Sequence, residues 1–124
     1  MNRTIFIPAD RRLFRTGVPL DPTQPLRFTA TGRWRDLHLG ADAGGIAEPN
    51  AFQRLFARFK RIPQARYMAL IGCVDGDLAT AFVIGTGLPM WASPRAGELC
   101  CFANDVPGFY WNNSGWVSLT IGAP

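Results

Sequence analysis

The stretch Glu98-Leu99-Cys100-Cys101-Phe102-Ala103-Asn104-Asp105-Val106-Pro107-Gly108-Phe109-Tyr110-Trp111-Asn112-Asn113-Ser114-Gly115-Trp116-Val117-Ser118-Leu119-Thr120-Ile121 decides how the chain is read. Leu99 to Ala103 is an apolar run of strand length. Trp116, Ser118 and Thr120 alternate with Val117, Leu119 and Ile121, which predicts a strand with one buried face. The connector, Asn104 to Gly115, concentrates one carboxylate, three side-chain amides and a Pro-Gly pair between the two strands. Calcium takes six to eight hard oxygen ligands, and one loop can supply several from Asp, Asn and main-chain carbonyls. Asp105, Asn112 and Asn113 are of the right type, and Pro107-Gly108 can fold the loop so that its ends converge. The same residues are also ordinary turn formers, and Asn-Ser-Gly can simply close a hairpin. Residue types alone leave both readings open.

Working backwards, Tyr67 to Val74 predicts a buried strand, turned by Asp75-Gly76 into a partner over Leu78 to Ile84. Thr4 to Ile7, Leu13 to Val18 and Leu26 to Ala30 read as further strands, the last ended by Gly32. Pro19 to Pro25 and Gly85 to Pro89 read as turns, and Asp36 to Asn50 as a long surface loop. One segment differs. Phe52, Leu55, Phe56 and Phe59 fall at i, i+3, i+4 and i+7, which predicts a helix over residues 50–61 with Asn50 as N-cap and Pro63 as stop. Its Arg54, Arg58, Lys60 and Arg61 read as a solvated basic face or, as the sharper alternative, a patch for phosphate or acidic polysaccharide. About eight short strands with turns between them predict an antiparallel, jelly-roll-like β-sandwich with one short helix, forming a single domain over residues 1–124.

Composition narrows the function classes. The chain has 124 residues, 48% of them hydrophobic, and a net charge of +4 in which Lys60 is the only lysine. That balance permits attraction to anions without naming a nucleic acid as partner. Cys73, Cys100 and Cys101 lack zinc-type spacing, and adjacent Cys100 and Cys101 point to opposite faces of a strand, so free thiols are expected. No leader pattern opens the chain and no apolar run reaches membrane-spanning length. A cytoplasmic location is expected, with release or surface display by a route without a signal peptide left open. His38 is the only histidine, no G-x-S-x-G surrounds a serine, and no carboxylate pair demands acid–base work, so an enzyme is not expected.

The pattern N-D-V-P-G-x-Y-x-N-N-S-G, followed by an alternating strand ending in I-G, resembles the calcium-dependent galactose-binding bacterial lectins of the LecA type. The likeness is dense over Trp91 to Gly122. It extends to Ala69-Leu70-Ile71-Gly72, Asp75-Gly76, Ala30-Thr31-Gly32-Arg33-Trp34 and Arg15-Thr16-Gly17-Val18, and leaves out Asp36 to Tyr67. The resemblance implies a galactose-binding-like sandwich with calcium at one end, completed by sugar hydroxyls. It implies Asp105, Asn112 and Asn113 as side-chain ligands, and main-chain carbonyls from Phe109 and Leu37. Sugar contacts are implied for Asp105, Val106, Phe109 and Asn112. The His and Gln with which the family grips the sugar have no clear match; Glu48, Asn50 and Gln53 occupy the corresponding stretch. Trp111 either stacks on a sugar or packs on its own loop. The expected partner is a galactose-type sugar or glycoconjugate, bound by a homo-oligomer with no membrane insertion. Two alternatives stand beside it: a degenerate sandwich without metal that serves as an interaction module, and a basic module for anionic glycans.

Overall fold

The computed structural model describes residues 2–124. Its longest pairings are made by β9 (Asn113–Gly122), whose alternating side chains bury Val117, Leu119 and Ile121. β9 lies between β1 (Arg3–Pro8) and β3 (Leu26–Asp36), antiparallel to both. β4 (Leu39–Ala41) and β7 (Gly87–Trp91) pair with opposite ends of β3 and complete a five-stranded sheet. The second sheet has four strands in the order β2 (Phe14–Leu20), β8 (Gly97–Ala103), β5 (Leu70–Val74), β6 (Asp77–Val83). Asp75 and Gly76, with φ of 54° and 79°, make the β5–β6 turn; two left-handed residues in succession suit a type I′ hairpin.

β8 and β9 therefore belong to different sheets, which removes the simple-hairpin reading of the connector. Residues 104–112 cross from one layer to the other at an end of the sandwich. Between the layers lie Ile7, Phe28, Trp34, Leu70, Val74, Leu99, Cys101, Val117 and Leu119. Each such side chain contributes roughly 1.5–3 kcal/mol through area withdrawn from water. β5 is buried at every position because both its faces are covered. On its outer side Ile71, Cys73, Cys100 and Phe102 form a second cluster under Leu13, Ile62 and Ala65. Cys100 and Cys101 thus face opposite ways, as strand geometry requires, and all three thiols are free.

Several local expectations are corrected. β3 does not stop at Gly32: its φ of +93° is absorbed within an unbroken ladder to β9, and the strand runs on to Asp36. Pro19 lies inside β2, where an edge strand tolerates its missing N–H, and Pro89 likewise lies in β7. Residues 36–50 are not wholly surface loop: they form β4 and bury Ala41, Ala43 and Ile46. The helix is shorter than its periodicity suggests. α1 spans Ala51–Leu55, and a 3-10 turn follows at Ala57–Phe59. Its one buried residue is polar Gln53, while Phe52, Leu55 and Phe59 are exposed. Among the described residues no helix is long and apolar enough to cross a membrane.

Candidate functional site

The crossing loop is fastened from below. Asn104 is fully buried and acts as a clamp: its Oδ1 accepts from the Ile62 amide at 3.0 Å, and its Nδ2 donates to the carbonyls of Ile62, Ala65 and Arg66. The Asp105 carbonyl accepts from the Arg61 amide at 3.0 Å. The Arg61 guanidinium lies 3.8 Å from the centre of the Phe102 ring, and the Tyr110 hydroxyl donates to the Ala103 carbonyl at 2.7 Å. Trp34 Nε1 donates 2.8 Å to the carbonyl of Met68, which ties the end of β3 to the same segment.

On that base the loop closes on itself. Gly108, with φ of +95°, follows Pro107, and the Phe109 amide donates to the Val106 carbonyl at 3.1 Å, the geometry of a Pro-Gly turn. A 3-10 turn over Tyr110–Asn112 then brings Asn113 back to Asp105. Asp105 is buried; its Oδ1 accepts from the Val106 amide at 2.7 Å and its Oδ2 from Asn113 Nδ2 at 3.0 Å. Asn113 Nδ2 also donates to the Ala9 carbonyl at 3.1 Å. Both amide nitrogen contacts thereby aim Asn113 Oδ1 away from protein donors. The side-chain oxygens of Asn112 and Asn113 are buried and no donor reaches either.

Those two oxygens are the informative feature, because a buried acceptor without a donor costs about 1–3 kcal/mol. They sit beside a carboxylate already under strain from burial. Withdrawal from water pushes Asp105 up to about 6, against the opposing hydrogen bonds from Val106 and Asn113, and nearby Asp36 adds to the rise. Tyr67, on the same cavity, is pushed up to about 12 by burial and by the charges of Asp105 and Asp36. Among the described residues no cationic side chain pairs with Asp36 or Asp105. The unpaired Asp105 carboxylate is bonded to Asn113 and shares the cavity lining with Asn112, so negative charge and idle amide oxygens occur in the same loop, a donor set that could serve a hard cation. Among the described residues no group of three or more His, Cys, Asp or Glu side chains is gathered as for a metal; the oxygens at the loop are the Asp105 carboxylate and the neutral amide oxygens of Asn112 and Asn113.

A cavity of about 80 Å³ opens beside this cluster, with a largely apolar lining. It brings together Leu37, Asn50, Gln53, Asp105, Val106, Phe109 and Asn112 from the residues singled out in the sequence. Leu37 has φ of +53° and its amide donates to the Asn112 carbonyl at 3.0 Å, which fixes the β3–β4 turn against the loop. Asn50 and Gln53 form a capping box, each side chain bonded to the other's backbone amide, and Gln53 Nε2 donates 2.7 Å to Asp36. The polar atoms of Gln53 are consequently committed within the protein. Glu48 is not in the cavity; it lines a separate groove with Arg33, Asp42 and Arg66. Trp111 is also outside it and 76% exposed, so it neither lines the cavity nor packs on its loop. Asp36, Phe52 and Tyr67 line the cavity without having been singled out as site residues. Asp36 ends β3, and with that strand read as stopping at Gly32 no sequence signal places it at the cavity.

No protein-family model matches the chain, and no curated protein matches it in sequence. Among solved structures the fold is similar to one described as "EclA N-terminal domain; PllA-like lectin", with a TM-score of 0.75 and 18% identity over 98% of this chain and 95% of that one. At that identity the likeness is one of fold: this chain has the two-sheet antiparallel architecture of a lectin domain.

Proposed function

We propose that this protein is a lectin that binds neutral, galactose-type sugar hydroxyls through a calcium ion. The observation that carries the reading is the pair of buried, donorless oxygens on Asn112 and Asn113 beside buried Asp105. Asp105, Asn112 and Asn113 would hold the ion by their side chains, with main-chain carbonyls of Leu37 and Phe109 completing the protein's share. The bound ion supplies a Lewis-acidic centre with coordination positions that paired sugar hydroxyls can fill. Val106 and Phe109 line the adjoining cavity and exclude water from the sugar's less polar side.

The remaining wall argues for modest affinity and broad sugar choice. Gln53 is occupied by Asn50 and Asp36, and Glu48 lies in another groove. Each directed hydrogen bond forgone is worth on the order of 1 kcal/mol, so two would weaken binding about tenfold or more. Weak single sites become useful when several act together, and a homo-oligomer is part of the proposal. The test is calorimetry with galactosides and other monosaccharides, with calcium and with chelator. Weak, calcium-dependent heats from several monosaccharides are expected. Binding that persists in chelator, or no sugar binding to calcium-loaded protein, would overturn it.

A further inference from the structure

A different surface carries a second recognition chemistry. On the outer face of the five-stranded sheet, Arg27, Arg33 and Arg35 of β3 are exposed and alternate with buried Phe28 and Trp34. Alternate residues on one strand stand about 6.7 Å apart, so Arg33 and Arg35 are neighbours and Arg27 lies roughly 20 Å along the same row. Arg33 is in register with Trp116 of β9, which is 60% exposed and meets exposed Phe6 edge-to-face at 6.5 Å. Hydroxyls fill the space between: Thr4 and Thr120 are hydrogen bonded across β1 and β9 at 3.1 Å. A polar groove of about 150 Å³, lined by Arg27, Thr29 and Thr120, ends the row. Among the described residues none of the three arginines has an ion-pair partner. Asp42 and Glu48 share a groove with Arg33 but neither comes within ion-pairing distance.

We infer that this face binds an acidic polysaccharide, with the arginines meeting carboxylate or sulfate groups and the Trp116 indole lying against a sugar ring. Charge decides against a second copy of the chain as occupant, because a twofold pairing of this face would set the arginine row against its own copy. The aromatic supply decides against single-stranded nucleic acid. Sheet platforms for single strands stack successive bases on two or three aromatics. Here the two exposed aromatics, Trp116 and Phe6, meet edge-to-face at 83° and so offer no pair of parallel platforms for successive bases, and hydroxyls surround them. Three guanidiniums without ion-pair partners along one exposed strand face give the polyanion its charge complement.

The face is independent of the cavity at Asp105, so the test is run in chelator, where the calcium-dependent reading makes no contribution. Binding of sodium alginate to the whole protein is measured at low and moderate salt by sedimentation or interferometry. The wild type should bind and weaken steeply as salt rises, as expected when three charges are neutralised. The combined Arg27→Ser, Arg33→Ser, Arg35→Ser variant should lose about a hundredfold, and Trp116→Ala about tenfold. An Arg54→Ser, Arg58→Ser control, which removes exposed charge elsewhere, should bind within about threefold of wild type. Circular dichroism melts confirm that each variant is folded. Failure of the wild type to bind, an undiminished triple variant, an equal loss in the control, or tighter binding to oligothymidine would each overturn the inference. A shift of oligomeric state in Trp116→Ala would do so too, since it would make the face a self-contact.

Discussion

Replacing Asp105 with asparagine should act in opposite directions on the metal-free and calcium-loaded protein. In the metal-free fold the carboxylate is raised from an ordinary 3.8 to about 6, chiefly by burial. A raised carboxyl contributes stability that is fully present below about pH 4 and lost as the pH climbs through about 6. At pH 7.5 the buried charge therefore costs about 3 kcal/mol relative to its protonated form. The amide introduced by Asp105→Asn carries no charge but offers one acceptor where the carboxylate offers two, to Val106 and Asn113, a loss of about 1 kcal/mol. The net expectation is a gain of about 2 kcal/mol, a rise in Tm on the order of 5 °C for a domain of this size. Calcium at a hundredfold over its Kd should add about 2.7 kcal/mol to the wild type and nothing comparable to Asp105→Asn. The assay is calorimetric melting of both proteins at pH 7.5 in chelator and in calcium. Equal calcium shifts in the two proteins, or a chelated variant melting several degrees below chelated wild type, would refute the reasoning.

Other expectations follow from the same contacts. For the chelated wild type, the Asp105 contribution to stability should decline between about pH 4 and 6, while calcium affinity should fall on the acid side of about 6 as protons compete for the carboxylate; a pH series of calcium titrations and chelated melts checks both. Trp34→Phe removes the 2.8 Å bond to Met68 and leaves that carbonyl unpaired, costing about 1–3 kcal/mol in urea unfolding. Burial raises all three thiols, Cys73 to about 11, so iodoacetamide at pH 8 should leave the native protein unlabelled and modify it fully in guanidinium, read by mass spectrometry.

The strands were legible where alternation was clean. Val117, Leu119 and Ile121 face inward as their spacing predicts, and Cys100 and Cys101 divide between two clusters. Sequence pattern misled where a backbone feature outranked it. Gly32 looks like a stop, yet β9 pairs with β3 on both sides of it and carries the strand through a positive φ. The helix is the sharper case. Phe52, Leu55, Phe56 and Phe59 have the spacing of a core-facing stripe, but Asn50 and Gln53 close a capping box and Gln53 is anchored on Asp36. Polar Gln53 is turned inward and most of the stripe outward. Phe52, Phe56 and Phe109 pack against one another at the rim of the cavity instead. The loop donors Asp105, Asn112 and Asn113 could be named from residue type, whereas their convergence could not. It depends on Asn104 clamping residues 62–66, a long-range contact that no local spacing encodes.

The most direct test is a crystal structure grown in calcium with a galactoside. The proposed function predicts one ion per chain at about 2.3–2.6 Å from the side-chain oxygens of Asp105, Asn112 and Asn113, with two sugar hydroxyls in its remaining positions. A calcium-grown crystal in which those amide oxygens take donors from the protein, or in which the sugar sits elsewhere without metal contact, would contradict it.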